Sequence, residues 1–302
     1  MSSHHDHHHE PANYNRAFIV GFILNICLVG AEIVYGFMAH SLALLADAGH
    51  NLSDVLALFL AWGASRLSLR APSVRFTYGW RRSSILVALL NGVFLLVATG
   101  GIAWEAIGRL QDPKPVEGGL VIGVALVAIV VNTATALMFM SGSKGDLNIR
   151  AAFWHMAGDA LVSLGVVLAG VVILVTGWLW CDPVMSLVVV VVIVWGTWGL
   201  LRDAVILALD GVPVSVEPLA VRLFLSELPG VIEVHDLHIW GMSTTEIALT
   251  AHLVMPAGCP GDDFLYMVRE ELHHKFDIDH VTLQVEIGDA CYPCVLAPDH
   301  VV

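Results

Sequence analysis

Six long apolar stretches take up most of the first two thirds of this 302-residue chain, at roughly 17–39, 41–67, 83–108, 118–140, 151–177 and 184–206. About 20 apolar residues make a helix that crosses the hydrocarbon core of a bilayer. In that core every backbone N–H and C=O must be satisfied internally, so an apolar run of this length can only be a helix. The connections are short. Pro113, Pro115, Gly118 and Gly119 punctuate the one between the third and fourth stretches, and Cys181, Asp182 and Pro183 end the fifth stretch. Composition agrees, with 57% hydrophobic and only 14% charged residues against about 25% charged in soluble domains. The reading is an integral membrane protein of six helices.

Positive charge gives the orientation, because Lys and Arg concentrate on the cytoplasmic side. One side holds Arg16, Arg70, Arg75, Arg81, Arg82, Lys144, Arg150 and Arg202, while the other holds only Arg109 and Lys114 in its loops. Both termini are therefore expected in the cytoplasm. The formal charge of −13 comes largely from acidic residues near the C-terminus, and so acidic a chain is a poor partner for nucleic acid. The N-terminal "MSSHHDHHHEPANYNR" lacks the apolar core and cleavage site of a secretion signal. Five cysteines, with only Cys291 and Cys294 close together, fit a reducing compartment and metal binding better than a disulfide framework.

After residue 208 the texture changes. "VEPLAVRLFLSELPG" has helical periodicity and stops at Pro229-Gly230. "VIEVHDLHIWGM" and "TEIALTAHLVM" alternate as strands around Ser243-Thr244, "GDDFLYMVREELHHKF" reads as a second helix and "HVTLQVEI" as a third strand. The expected fold is a six-helix transmembrane domain followed by a small cytoplasmic α+β domain, ferredoxin-like in outline, with element order α-β-β-α-β. The expected boundaries are a His-rich tail at 1–15, the membrane domain at 16–208, the α+β domain at 209–288 and a CxxC tail at 289–302.

The second apolar stretch carries "HNLSD" at its centre, although an ionised group at mid-bilayer costs roughly 2.5–3.5 kcal/mol on insertion scales. His50 and Asp54 are four residues apart, which places them on one helix face. In the fifth stretch, "AFWHMAGDALVS" repeats that spacing with His155 and Asp159. Two facing helices would then offer two imidazoles and two carboxylates, a full tetrahedral ligand set for zinc, and one that also suits cobalt or cadmium. The metal would neutralise both carboxylates. Asp47, Asn51 and Asn132 are candidates for the shell behind these ligands, and otherwise bond a neighbouring helix. Glu32 and Glu105 lie towards the outer ends of their spans, and interfacial solvation is expected for both.

Several separated segments carry a family resemblance: "SLALLADAGHNLSDVLAL", "RFTYGWRRSSILVALLNG", the "HMAGD" stretch and "VHDLHIWGMSTTEIALTAHL". After residue 15 the chain resembles the cation diffusion facilitator family, in particular its bacterial cobalt-zinc-cadmium resistance branch and the vertebrate vesicular zinc transporters. The resemblance implies a homodimer in the bilayer, six membrane helices per subunit and a cytoplasmic domain. It also implies export of Zn2+ from the cytoplasm in exchange for H+, with Cd2+ or Co2+ as alternative substrates, across a bacterial inner membrane. Carried over by position, His50, Asp54, His155 and Asp159 would be the transport site, in a form that looks zinc-preferring. The chain also departs from its relatives. The second loop, "SLRAPSVRFTYGWRR", has no Asp or His, so no metal site is expected there. "SGSKGDLNIR" is short and lacks the histidines many relatives carry between the fourth and fifth spans. His4, His5, His7, His8 and His9 could take over as a cytoplasmic metal collector, or be a purification tag; the interrupting Asp6 argues for the first.

A second metal group is expected in the cytoplasmic domain. His235, His252 and Glu286 fall on three strands, where side chains converge if the register agrees, and Cys291 and Cys294 form a chelate pair with zinc-type spacing. By position these five resemble the cytoplasmic zinc sites of the vertebrate branch, where N-terminal ligands from a partner subunit complete the cage. The short spacer after Glu286 leaves open whether the cysteines join the same cluster. His238 and Trp240 are expected to pack. His273, His274 and His280 read as solvated surface, and His40 and His300 stand alone. An enzyme is the least favoured class, since no nucleophile-base pair or phosphate loop occurs. A passive channel would favour weak rings of sites over one tight cage. A metal sensor would not need a complete ligand set inside the membrane.

Overall fold

The computed structural model describes residues 15–68, 70–140, 147–289 and 291–297. The N-terminal histidines His4, His5, His7, His8 and His9 lie outside the described residues, as does His300. The first six elements are long helices: α1 (Asn15–Met38), α2 (Leu42–Ser68), α3 (Ser83–Gln111), α4 (Gly118–Met140), α5 (Leu147–Thr176) and α6 (Cys181–Ala208). Then come α7 (Pro218–Ser226), β1 (Glu233–Gly241), β2 (Ile247–Val254), α8 (Asp262–Phe276) and β3 (His280–Glu286). Among the described residues, five of the long helices are long and apolar enough to cross a membrane: α1, α3, α4, α5 and α6. α2 has 27 residues but is the least apolar of the six, because Asp47, His50, Asn51, Asp54 and Arg66 interrupt it. Asp182 and Pro183, read from the sequence as the end of the fifth span, form the first turn of α6.

The chain divides into two compact units. The first takes in residues 1–58 and 94–197, and the second residues 59–93 and 198–302.

In the first unit, α4 packs on α5 and on α1. Glycine permits the α4–α5 approach: a Cβ at Gly118 would lie 3.1 Å from the Gly170 carbonyl oxygen, and one at Gly170 would lie 2.8 Å from Ile122. Small residues at such a crossing let backbones close in where no hydrophobic force drives helices together. Val121, Ala125, Val166 and Val167 fill the seam. Asp182 closes the α2 end of this unit. Its carboxylate accepts from the Leu42 N–H at 2.7 Å, the Ala43 N–H at 3.3 Å and the Ser41 hydroxyl. These are N–H groups that the first turn of α2 cannot satisfy itself, and a negative charge at a helix N-terminus is also favoured by the helix dipole. The Ser41 hydroxyl accepts in turn from the Leu44 N–H at 3.2 Å, as an N-cap does.

In the second unit, β1, β2 and β3 form one sheet in that order, β1 antiparallel and β3 parallel to β2. Alternating apolar residues turn Val234, Ile239, Leu249, Ala251 and Leu253 to one face, where they pack with Val221 and Leu225 of α7 and Val268 and Leu272 of α8. Full burial of one such side chain is worth about 1.5–3 kcal/mol. The register of β1 slips between His235 and His238: His235 faces His252 and His238 faces Thr250, so Asp236 and Leu237 oppose Ala251 alone. This is a β-bulge, and Asp236 takes a positive φ of 48°. The α2–α3 loop is bonded to this part of the chain. Arg81 pairs with Glu246, Arg82 pairs with Asp210, and the Thr244 N–H donates to the Ser84 hydroxyl at 3.1 Å.

Asp182→Ala would leave the Leu42 and Ala43 N–H groups without acceptors, at about 1–3 kcal/mol for each buried group. The expected outcome is a clearly lower thermal midpoint for the purified protein in detergent. Asp182→Asn, which keeps an acceptor oxygen, should fall between the variant and wild type.

Candidate metal sites

Regular helix geometry brings His50 and Asp54 of α2 to one face, and His155 and Asp159 of α5 to another. These two faces meet. His50 Nε2 lies 3.2 Å from Asp159 Oδ1 and 3.9 Å from Asp54 Oδ2. His155 Nε2 lies 3.2 Å from Asp54 Oδ2 and 3.7 Å from Asp159 Oδ2. Each imidazole thus touches both carboxylates, one on its own helix and one on the other, in a closed ring of four. Donor atoms of Asp54, His155 and Asp159 all fall within 4.8 Å of one another. In a tetrahedral zinc site with bonds of about 2.0–2.1 Å, neighbouring donors sit roughly 3.3 Å apart. The His50–Asp159 and His155–Asp54 pairs are near that spacing. His50 meets both carboxylates but is not one of the three mutually close donors, its ring centroid lying 5.9 Å from that of His155. The Asp159 side chain is 3% exposed and that of His155 40% exposed, so the ring is closed on one side and open on another.

The residues behind the ring are tied into it unequally. Asp47 is fully buried and accepts from the Ser163 hydroxyl at 2.9 Å. Asn51, also buried, donates from Nδ2 to Glu32 Oε2 at 3.1 Å. Asn132 is buried with no hydrogen bond from its amide among the described residues. Glu32 corrects the sequence reading: it is not solvated at an interface but buried, because α1 turns it inward onto Asn51. Glu105 is solvent-accessible and pairs with Arg109 and Lys114. Sequence reasoning missed Ser163, whose only signal was its position one turn beyond Asp159.

The second group sits on the sheet face away from α7 and α8. The pairing His235↔His252 and the parallel register Val254↔Glu286 place the three side chains on one face. Donor atoms of His235, His252, Glu286 and Cys294 lie within 4.8 Å of one another, at the side of a cleft of about 1000 Å³. His252 Nδ1 faces Glu286 Oε1 at 3.0 Å and Cys294 Sγ at 3.5 Å. His235 is 3% exposed, and neither of its ring nitrogens makes a hydrogen bond among the described residues, although Glu286 Oε2 approaches to 3.5 Å. Burial works against the Glu286 carboxylate, but hydrogen bonds from Gln284 and Cys294 and the neighbouring His235 and His252 outweigh it and hold Glu286 below the ordinary carboxylate range. Two imidazoles, a thiol and a carboxylate are a fitting zinc set.

Cys291 stands apart from this group. It is exposed, its N–H donates to Asp289, and it is not among the converging donors. His238 does not pack as expected. Its side chain is 41% exposed, with Nε2 2.8 Å from Asp236 Oδ1, because the bulge shifts the alternation of β1. Asp236 was missed from sequence. Its other oxygen lies 3.3 Å from His252 Nε2, so it sits behind the ligand as carboxylates commonly do in metal sites. His273 and His274 pair with nearby acids on exposed surface, His280 meets Tyr78 edge-on, and the His40 carbonyl accepts from Arg109.

A membrane helix domain with a four-donor ring between two of its helices, joined to an α+β domain with a second donor cluster, defines a metal-handling membrane protein. The sequence matches two family models: the cation efflux transmembrane domain over residues 18–207, and the cytoplasmic domain of cation efflux proteins over residues 216–287. The first match includes α2, which completes a transmembrane domain of six helices. Over 286 residues the chain is 36% identical to the zinc transporter ZitB of Escherichia coli, covering 94% of this chain and 91% of the relative. It is 33% identical over 295 residues to the metal cation efflux system protein CzcD of Cupriavidus metallidurans, covering 97% and 92%. It is 32% identical over 285 residues to the cadmium, cobalt and zinc/H(+)-K(+) antiporter of Bacillus subtilis, covering 93% and 91%. The chain belongs to the cation efflux, or cation diffusion facilitator, family.

The two cysteines should separate on mutation. Cys294→Ser is expected to lower the zinc bound per purified subunit, and Cys291→Ser to leave it close to wild type. Metal content by mass spectrometry of the purified full-length variants checks this.

Proposed function

We propose that this chain exports zinc from the cytoplasm in exchange for protons, by alternating access, with cadmium and cobalt as alternative substrates. The observation that carries this reading is the closed ring of His50, Asp54, His155 and Asp159. Zinc is the cargo of this ring. A divalent ion held by two carboxylates and two neutral imidazoles forms an assembly with no net charge, which is far cheaper to keep in a low-dielectric interior than separate ions. Free histidine titrates at about pH 6.5, so metal and proton compete for the same nitrogens near neutral pH. The same atoms that would hold zinc are paired with each other at 3.2 Å for His50 with Asp159 and for His155 with Asp54. Protons shared across those pairs leave as metal enters and return as it departs.

On this reading the chain works as a homodimer in a bacterial inner membrane. Its N-terminus and the α+β domain both face the cytoplasm, where the loop arginines concentrate. The domain limits are 16–208 for the membrane part and 209–288 for the α+β part. The cluster of His235, His252, Glu286 and Cys294 binds zinc as a resident ion, supplying a fixed crosslink between the strands and the C-terminal tail. The histidines of the 1–15 tail collect metal in the cytoplasm. Asp47, Asn51 and Asn132 support the ring from behind.

Two outcomes test the ring. In inside-out vesicles with an imposed pH gradient, Asp54→Ala or Asp159→Ala should abolish zinc uptake while the protein still inserts; wild-type flux in either variant would sink the assignment. His50→Asp should keep transport but widen it towards cadmium, since a carboxylate fixes the geometry less strictly than an imidazole and so tolerates the larger ion. An unchanged zinc-to-cadmium uptake ratio would remove His50 from the selectivity argument.

A further inference from the structure

The loop between α2 and α3 is basic and aromatic and carries no acid. From residue 55 to residue 104 the chain has five arginines and no Asp, Glu or Lys. Arg81 and Arg82 are taken up by Glu246 and Asp210. Arg70 and Arg75 are exposed and have no carboxylate partner among the described residues. Between and beside them stand apolar side chains in the open. Val74 is 98% exposed, and Phe76 is 46% exposed and stacks on Trp80 with ring centroids 4.5 Å apart.

The loop has a defined backbone. The Ser73 N–H donates to the Phe76 carbonyl at 3.0 Å, the Phe76 N–H to the Ser73 hydroxyl at 3.2 Å and the Gly79 N–H to the Phe76 carbonyl at 2.8 Å. Gly79 takes a φ of 69°, and a Cβ there would lie 3.1 Å from the Arg70 carbonyl oxygen, so glycine lets the loop fold back on its own start. The later half is fastened to the α+β elements: Tyr78 meets His280 edge-on at 5.8 Å, and Ser84 accepts from the Thr244 N–H. Residues 70–76, among the described residues, hydrogen-bond only within the loop and to Leu67 of α2. α2 ends at Ser68 and α3 starts at Ser83, so this free half emerges where two membrane helices leave the hydrocarbon.

We propose that Arg70 and Arg75, with Val74, Phe76 and Trp80, bind an anionic phospholipid of the leaflet in which α2 ends and α3 begins. A guanidinium holds a phosphate through paired, charge-assisted N–H donors. Aromatic rings favour the headgroup level of a bilayer, and there Val74 and the Phe76–Trp80 stack lose the water that otherwise surrounds them. A soluble anion would satisfy the arginines but leave Val74 in water. A second copy of the chain is a poor occupant, because a two-fold contact would set these arginines against themselves. Since Tyr78, Arg81 and Arg82 tie the same loop to the α+β elements, the bound lipid joins those elements to the leaflet.

Titration of the full-length protein in neutral detergent with dioleoylphosphatidylglycerol, followed by native mass spectrometry, reads the first lipid bound. Arg70→Gln combined with Arg75→Gln should weaken that step about 25-fold, roughly fivefold for each charge near a membrane surface. Zwitterionic dioleoylphosphatidylcholine should bind wild type and variant alike. Val74→Asp keeps both arginines and should also weaken phosphatidylglycerol binding, and millimolar inorganic phosphate should not displace the lipid from wild type. Equal phosphatidylglycerol affinity in wild type and the double variant overturns the proposal, and so does full displacement by phosphate, which would make this a simple anion site. A thermal midpoint close to wild type shows that a variant has folded. If the double variant has not, Val74→Asp is read in its place, and unchanged affinity there overturns the proposal too.

Discussion

Two carboxylates inside a membrane domain have to be neutralised, and that requirement organises the first unit of this protein. Asp54 and Asp159 each face both ring histidines, so neither acid depends on a partner from its own helix alone. The crossed pattern ties α2 to α5 through groups that a proton or a divalent metal can satisfy, one at a time. In the proposed function, exclusive occupancy of that kind is the chemical core of the exchange. Asp54, His155 and Asp159 already converge, and His50 has to close on them for all four donors to hold one ion.

The rest of the first unit holds these two helices in place. Asp182 fastens the N-terminus of α2 to α6 by accepting its unsatisfied N–H groups. Ser163 of α5 bonds Asp47 of α2 one turn from the ring. Glycine at Gly118 and Gly170 lets α4 and α5 approach closely. These contacts lie where lipid gives no hydrophobic drive to associate, so hydrogen bonds and close packing carry the assembly.

In the second unit a single irregularity sets the chemistry. The bulge at Asp236 and Leu237 keeps His235 opposite His252 while shifting the residues beyond it. It also swings Asp236 in behind His252, whose other nitrogen is left to face Glu286 and Cys294. Arg81 and Arg82 of the α2–α3 loop pair with Glu246 and Asp210, so that loop is held by charge to the same unit.

The sequence by itself determined the helices, the order of the cytoplasmic elements and the two His-x-x-x-Asp pairs, because periods of 3.6 and 2 and the length of an apolar run are local properties. It also brought His235, His252 and Glu286 to neighbouring strands. Tertiary structure alone decided what lies between elements. Glu32 reads as a residue near a helix end, yet packing of α1 buries it against Asn51. Asp182 reads as a helix terminator, yet it caps a different helix 140 residues earlier. Cys291 and Cys294 look equivalent as a CxxC pair, but the path of the tail after Gly288 brings only Cys294 to the cluster. Asp236 gave no signal, since a bulge depends on how two strands register and not on the residues of one. Side-chain chemistry and periodicity are written along the chain, whereas partners far apart in sequence are fixed only when helices and strands pack.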